Sequence, residues 1–127
     1  MSEILKIDVT DKSLAVYANA KTGEVLINGS LYFEKSLDIF KPLWEWLQQY
    51  FKEPAEKSRF RFRIDAMCPP SYNWILQILK LIEKRSKEKN CHSEIYWYYQ
   101  IDDEDMYEEG DYFKEIVDVP FFMMEEE

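Results

Sequence analysis

The chain has 127 residues and a mass of 15.4 kDa, which is the size of a single domain built around one hydrophobic core, here expected to span residues 1–127. Hydrophobic residues make up 46% of the sequence, which is enough for a packed core and excludes a disordered chain. The formal charge of -9 repels phosphate backbones and anionic lipid surfaces, so we expect neither nucleic acid nor membrane as a partner.

The first half of the sequence predicts a hairpin followed by a helix. Apolar residues alternate on both sides of a turn sequence that contains glycine, which predicts a β-hairpin from Ser13 to Asn28. Apolar residues then recur at helical spacing up to Phe51, and Ser36 is the expected N-cap of that helix. Pro42 lies within the pattern and favours a helix that begins later or is kinked.

The second half of the sequence alternates strands with helices. Strict alternation predicts a half-buried strand at residues 58–65, and helical spacing predicts a helix from Pro70 to about Lys89 that ends at Asn90. The apolar stripe that should face the sheet consists of Ile75, Ile78, Leu79 and Ile82. The remaining predicted elements are an aromatic-rich strand at 93–100, a short acidic helix at 105–117 that is interrupted at Gly110, and a last strand at 119–123.

This order of elements predicts an α/β fold. Strands that are separated by helices favour a central sheet with helices packed on it. We expect a mixed sheet of four or five strands in the order ββαβαβα(β), with the last strand optional. If the strands at 58–65 and 93–100 pair in parallel, the crossover between them should be right-handed.

The chain offers little material for a metal or cofactor site. Its single histidine, His92, is interpreted as a turn residue in preference to a metal ligand, because three Cys and His residues in total are too few for structural zinc. A calcium loop starting at Asp103 would need glycine at its sixth position, where Glu108 stands, so the acidic run at 102–111 is interpreted as a solvated helix start. Three glycines form no phosphate-binding loop. We predict no metal, cofactor or nucleotide.

The most unusual segment is Ala66-Met67-Cys68-Pro69-Pro70-Ser71-Tyr72, between the alternating strand and the second long helix. Because Pro70 disfavours helical backbone at Pro69, we expect Pro69 to be the extended N-cap and Pro70 the first helical residue. Proline supplies no capping oxygen, so the amides of Ser71 and Tyr72 should be free to face water, an anion or a partner. A stiff turn without a binding role accounts for the same residues, and both interpretations stay open.

Two interpretations of Cys68 also stay open. Its thiol is either activated by the positive end of the helix dipole or part of a small buried turn. The only other cysteine is Cys91, and residues 1–10 lack the features of a secretory signal, so a reducing cytoplasm is the simplest location. A small thiol-dependent enzyme or redox protein using Cys68 is therefore the alternative function, although no base or resolving cysteine lies nearby in the sequence.

Three stretches of the sequence follow a family pattern. The first contains Gly29, Tyr32 and Glu34, the second is Phe-Lys-Pro-Leu-Trp-Glu-Trp-Leu-Gln-Gln-Tyr at 40–50, and the third extends over 97–121. They resemble the segments G-x-S-Y-P-E, F-x-P-L-x-x-W-L-x-x-Y and W-Y-Y-D-x-D-D-x-D-M-x-E-x-G-x-x-F, ending in P-F, of SiaC-like bacterial regulatory phosphoproteins. The resemblance covers nearly the whole chain from Val16 onward.

The resemblance implies a fold similar to STAS or anti-sigma-factor-antagonist domains and a partner-switching function. In this family a dedicated serine/threonine kinase phosphorylates a threonine in an N-T-S-S segment at the start of the second helix. A PP2C-type phosphatase removes the phosphate, and the unmodified form binds and activates a diguanylate cyclase. A phosphate adds about -1.5 to -2 charges to the contact surface, so binding is switched off without refolding.

The sequence departs from the family pattern at the phosphorylated residue. The N-T-S-S segment falls on Cys68-Pro69-Pro70-Ser71, so Pro69 replaces the acceptor threonine and only the last serine is retained. We therefore expect a non-catalytic cytoplasmic adaptor that is locked in the unphosphorylated form, or a paralogue with different partners. Any residual phosphorylation should fall on Ser71 or Tyr72, of which Ser71 is the better candidate. A structural subunit that oligomerises through its aromatic residues is a third possibility.

Overall fold

The computed structural model of the protein describes residues 4–8, 14–31 and 33–127. Ser13 and Tyr32, which belong to the predicted hairpin and to the family pattern, lie outside the described residues. The elements are β1 (Ile4–Asp8), β2 (Leu14–Asn19), β3 (Glu24–Leu31), α1 (Phe33–Tyr50), β4 (Lys57–Met67), α2 (Pro69–Lys89), β5 (His92–Gln100), α3 (Glu104–Ile116) and β6 (Phe121–Glu126). The predicted α/β order is confirmed, with one strand added in front.

The strands form one mixed sheet in the order β1-β2-β3-β4-β5-β6. β1, β2 and β3 pair antiparallel, whereas β3, β4, β5 and β6 pair in parallel. The sheet therefore has six described strands, where four or five were predicted. β1 was missed because it is a short edge strand whose Ile4 is 44% exposed, so it does not need the regular apolar face by which an inner strand is recognised.

All three helices cover the same face of the sheet. Register places Ile27 of β3, Phe62 of β4 and Trp97 of β5 side by side on this face. Ile27 lines a crevice with residues of α1 and α2, and the ring of Phe113 in α3 contacts that of Trp97 at a centroid distance of 5.4 Å. The predicted apolar stripe of α2 is buried, as expected for its packing on the sheet. The core therefore lies between the helices and this face of the sheet.

The structure of α1 and α3 differs from the prediction, whereas the end of α2 agrees with it. α1 begins at Phe33, so Ser36 lies inside the helix and is not its N-cap, and Pro42 is accommodated within it. α2 ends at Asn90 as predicted, in the left-handed conformation that allows its amide to bond the last turn. α3 is not interrupted at Gly110, because the glycine fits where the helix passes closest to Trp97.

The face of the sheet opposite the helices carries alternating cations and aromatic rings. Arg61 lies 5.5 Å from the ring centroid of Tyr96, and Arg63 lies 4.8 Å from that of Tyr98. Glu94 accepts hydrogen bonds from the hydroxyl of Tyr96 at 2.6 Å and from His92 at 3.1 Å. These two hydrogen bonds, together with the Lys57 ammonium, hold the pKa of Glu94 at about 2.

We expect Glu94→Gln to destabilise the fold by about 1 kcal/mol near neutral pH. Because the pKa of Glu94 is lower in the folded state than the ordinary 4.5, its contribution is present above that value and is lost as the pH falls through about 2. Because its partners His92 and Lys57 are exposed to solvent, the loss of stability should be smaller than the full shift of the Glu94 pKa would imply. Urea melts should show the difference from the parent near pH 7 and its disappearance near pH 2. Glu24→Gln, at a carboxylate whose ion pairs are 3.8 and 3.9 Å long, is the control and should change little.

Candidate functional site

The segment singled out in the sequence lies at the carboxyl end of the parallel strands. Cys68 directly follows β4 and precedes α2, and its amide donates a hydrogen bond of 3.0 Å to the carbonyl of Leu31 at the end of β3. In open α/β sheets, binding sites are found at the carboxyl ends of the strands. The first turn of α2 is thus anchored to two neighbouring strands at the edge where a site is expected.

The helix begins one residue earlier than the sequence predicted. The extended N-cap is Cys68, with φ -81° and ψ 156°, and Pro69 is the first residue of α2. The prediction that Pro69 is the extended N-cap is wrong, because two consecutive prolines fit the first two helical positions, whose amides would have no acceptor within the helix. The extended residue that a proline requires before it is therefore Cys68.

Ser71 faces inward from this turn. Its side chain is 1% exposed, and its hydroxyl donates a hydrogen bond of 3.2 Å to the carbonyl of Leu31. Its oxygen also lies 3.3 Å from the sulfur of Cys68. The Ser71 amide, predicted to be free, instead donates to the Cys68 carbonyl at 2.9 Å. Ser71 therefore ties the start of α2 to β3.

The outer surface of the turn is formed by Pro69 and Pro70, which are both exposed. Tyr72 is half-buried beside α3, where its side chain interacts with Glu109. Burial raises the pKa of Tyr72, and the nearby carboxylates of Glu109 and Asp105 raise it further. Burial and the neighbouring carboxylates likewise raise the pKa of Glu109. The prolines are thus bordered on the α3 side by an acidic surface. The sequence did not predict this surface, because Tyr72 and the carboxylates of α3 are far apart along the chain.

On the α1 side the turn is bordered by aromatic rings. Phe40 packs against Trp74 with ring centroids 5.1 Å apart and against Trp44 at 5.6 Å. Ser71 and Trp74 also line the crevice between the helices and the sheet, whose volume of about 10 Å³ is the space of one water molecule. The start of α2 is therefore a filled surface suited to contact with a protein and not a pocket for a small molecule.

The residues considered for thiol or metal chemistry are not brought together. Cys68 precedes the first residue of α2, whereas Cys91 and His92 follow the Asn90 cap at its other end. A helix of 21 residues separates these ends by about 30 Å. His92 is the exposed first residue of β5, not a turn residue. Among the residues that the structure describes, no group of three or more His, Cys, Asp or Glu side chains is placed to hold a metal ion.

The acidic run is the solvated helix start that the sequence predicted. A carboxylate oxygen of Asp103 accepts a hydrogen bond of 3.1 Å from the amide of Met106, so Asp103 caps α3. Glu104 and Asp105 follow in the first turn, where their charges meet the positive end of the helix dipole.

In the described part of the chain, no helix combines the length and the apolar character that crossing a membrane requires.

The chain matches one protein family over nearly its whole length. Residues 7–126 match the family described as SiaC family regulatory phosphoprotein. No match to a curated protein sequence was found.

Three solved structures from Pseudomonas aeruginosa have a fold similar to that of this chain. SiaC of Pseudomonas aeruginosa superposes with a TM-score of 0.84 at 20% identity, covering 99% of this chain and 100% of that one. The crystal structure of apo-SiaC gives a TM-score of 0.82 at 22% identity, covering 98% and 99%. A complex of the diguanylate cyclase SiaD with its activator SiaC gives 0.85 at 20% identity, covering 96% and 99%.

Proposed function

Because the chain belongs to the SiaC family of regulatory phosphoproteins, we propose that it is a non-catalytic, cytoplasmic signalling adaptor whose contact surface is the first turn of α2. Its proposed effector is a diguanylate cyclase or a similar enzyme, and its proposed regulators are a serine/threonine kinase and a PP2C-type phosphatase. The observation that carries the proposal is the exposed Pro69-Pro70 turn, bordered by aromatic rings on one side and carboxylates on the other. The SiaC that activates SiaD in Pseudomonas aeruginosa has the same fold.

We further propose that the adaptor is locked in the unphosphorylated form. Pro69 and Pro70 are the exposed residues of the turn, and neither has a hydroxyl that a kinase could modify. The hydroxyl of Ser71 is buried against the carbonyl of Leu31, so the turn would have to open before a kinase reached it. This burial supports the locked form over a switch whose acceptor has moved to Ser71.

The geometry gives no support to the alternative of a thiol-dependent enzyme. The described hydrogen bonds of the Cys68 sulfur lead to Ser71, which is not a base. The single histidine lies beyond the far end of α2, and so does the second cysteine. A nucleophilic thiol would need a base or a cationic partner within hydrogen-bonding reach.

The locked form predicts that one substitution restores the switch. When Pro69→Thr is produced together with the kinase of the same organism, mass spectrometry should find phosphate on the introduced threonine and none on the parent. The first helical position accepts threonine, so the variant should fold like the parent, with a loss of less than about 1 kcal/mol from the removed proline. Pro70→Thr is the matched control, since it adds a hydroxyl to the same exposed turn at the wrong position.

Phosphorylation of the parent protein would contradict the locked form. The parent could instead carry phosphate on Ser71 and lose its partner when phosphorylated. If Ser71→Ala prevented that loss, the protein would be a true switch whose acceptor has moved to Ser71. In that case the locked form is wrong. Phosphate on Tyr72 would contradict it in the same way.

A further inference from the structure

A groove lined by cations runs between α1 and α2, apart from the first turn of α2. Its first section has a volume of about 430 Å³ and an apolar floor formed by Trp44, Leu76 and Leu81. Polar and charged side chains form the walls of this section: Gln48, Gln77, Lys80, Lys84 and Arg85. The section thus combines an apolar floor with cationic walls.

A second section of about 340 Å³ continues the groove toward the ends of both helices. It shares Gln48 and Arg85 with the first section, so the two form one continuous feature, here called the α1/α2 groove. The other residues that line the second section are Gln49, Phe51, Lys52 and Lys89. Residues 76–89 of α2 border the groove, which gives it a length of about 20 Å at 1.5 Å per residue.

The charge of the α1/α2 groove is opposite to that of the whole protein. Its lining contains five cations and no carboxylate, although the chain carries a formal charge of -9. The cations are Lys52, Lys80, Lys84, Arg85 and Lys89. The flanking carboxylates are Glu83, 3.7 Å from Lys80, and Glu88, 3.0 Å from Arg85. Lys84 is exposed, and the ion pairs described at this part of α2 involve its neighbours Lys80 and Arg85. Its charge can therefore face a ligand.

One cation is held in place before any partner binds. Arg85 donates a hydrogen bond of 3.0 Å to the side-chain oxygen of Gln48, which fixes its guanidinium across the groove from α2 to α1. A second guanidinium nitrogen donates to Glu88 at 3.0 Å. A fixed guanidinium costs less side-chain entropy on binding a carboxylate than a mobile one does.

We propose that the α1/α2 groove docks an acidic amphipathic helix of a partner protein. A groove of about 20 Å accommodates roughly three to four helical turns, whose apolar anchors at i, i+3, i+4 and i+7 would contact Trp44, Leu76 and Leu81. Carboxylates beside those anchors would face the cations of the walls. The inference rests on the proposed protein-binding function and adds a second contact surface, along the part of α2 distant from Pro69.

The groove is testable with a peptide probe and without the cyclase. The probe is a fluorescein-labelled helix of about 14 residues with leucines at the anchor positions and glutamates beside them, and its counterpart carries lysines in place of the glutamates. In fluorescence polarisation at low salt, the acidic peptide should bind at least about tenfold more tightly than the basic one. Added salt should weaken the binding, because the pairs are partly exposed.

Charge reversal at one position identifies the surface. Lys84→Glu should weaken binding of the acidic peptide by about tenfold, since it replaces an attractive charge at the groove wall with a repulsive one. Lys21→Glu makes the same charge change on the exposed turn between β2 and β3, and it should leave the affinity unchanged. Circular dichroism and urea melts of both variants verify that they are folded.

Several outcomes would overturn the inference. Equal affinity for the two peptides would do so, and so would an unchanged affinity in Lys84→Glu. Binding to phosphatidylserine vesicles without binding to the peptide would assign the groove to a lipid surface. If sedimentation showed that the protein self-associates and that Lys84→Glu abolishes this association, the α1/α2 groove would be assigned to a second copy of the chain. The α3 helix of that copy exposes Glu104, Glu108 and Glu115. None of these assays involves Pro69 or a cyclase. A negative result would therefore contradict the docking groove and not the proposed function, which is tested separately with Pro69→Thr.

Discussion

Replacing Gly110 with alanine should lower the free energy of unfolding by about 2 to 3 kcal/mol. α3 crosses the sheet so closely at this position that a Cβ atom would overlap the indole ring of Trp97. The same atom would lie 2.8 Å from the terminal methyl of Met123. The indole cannot move aside at low cost, because Trp97 is fully buried and its Nε1 donates a hydrogen bond of 3.0 Å to the carbonyl of Met106.

The direction of the change in stability makes Gly110→Ala a discriminating test of how α3 packs. In the interior of an exposed helix, glycine to alanine stabilises by about 1 kcal/mol. A loss of stability would therefore come from the close contacts of the added Cβ atom with Trp97 and Met123. Glu108→Ala changes an exposed residue of the same helix and should alter stability by less than about 0.5 kcal/mol. If urea melts showed Gly110→Ala to be as stable as the parent or more so, the packing of α3 on β5 would be wrong.

Replacing Ile78 with alanine should cost about 2 to 5 kcal/mol. Ile78 is 4% exposed and lies in the crevice where α2 meets Leu43 of α1 and Ile27 of β3. The crevice has space for no more than about one water molecule, and its surroundings are closely packed. Most of the cavity left by the lost methyl and methylene groups should therefore persist.

The neighbouring position supplies the control for this substitution. Gln77→Ala removes an exposed side chain from the same turn of α2, and it should change stability by less than about 0.5 kcal/mol. A loss below that value for Ile78→Ala, measured in the same urea melts, would contradict the placement of α2 on the sheet.

The residues whose roles follow from local periodicity were predicted well. The alternation at 58–65 and the helical spacing of Ile75, Ile78, Leu79 and Ile82 depend on which face of an element is buried, so they identified β4 and α2 and gave the fold class. Asn90 was recognised as a helix stop, because asparagine adopts the left-handed conformation at low cost. These features depend on the chain's own local geometry.

The missed features depend on contacts between distant segments. Ser71 faces inward because the carbonyl of Leu31, 40 residues earlier in the chain, accepts a hydrogen bond from its hydroxyl. Gly110 was predicted to interrupt a helix, whereas its missing side chain makes room for Trp97 within a continuous α3. The location of the candidate site was thus predictable from Pro69 and Pro70, but the burial of the Ser71 hydroxyl was not.

The most direct test of the proposed locked adaptor is whether it stimulates a diguanylate cyclase from the same organism. Purified cyclase is assayed with the parent, with Pro69→Thr and with the control Pro70→Thr, each added before and after incubation with kinase and ATP. The parent should stimulate the cyclase equally in both conditions, whereas Pro69→Thr should lose its stimulation after incubation, because the new phosphate brings about two negative charges into the contact surface. A parent protein that fails to stimulate the cyclase, or that loses its stimulation on incubation with the kinase, would contradict this account.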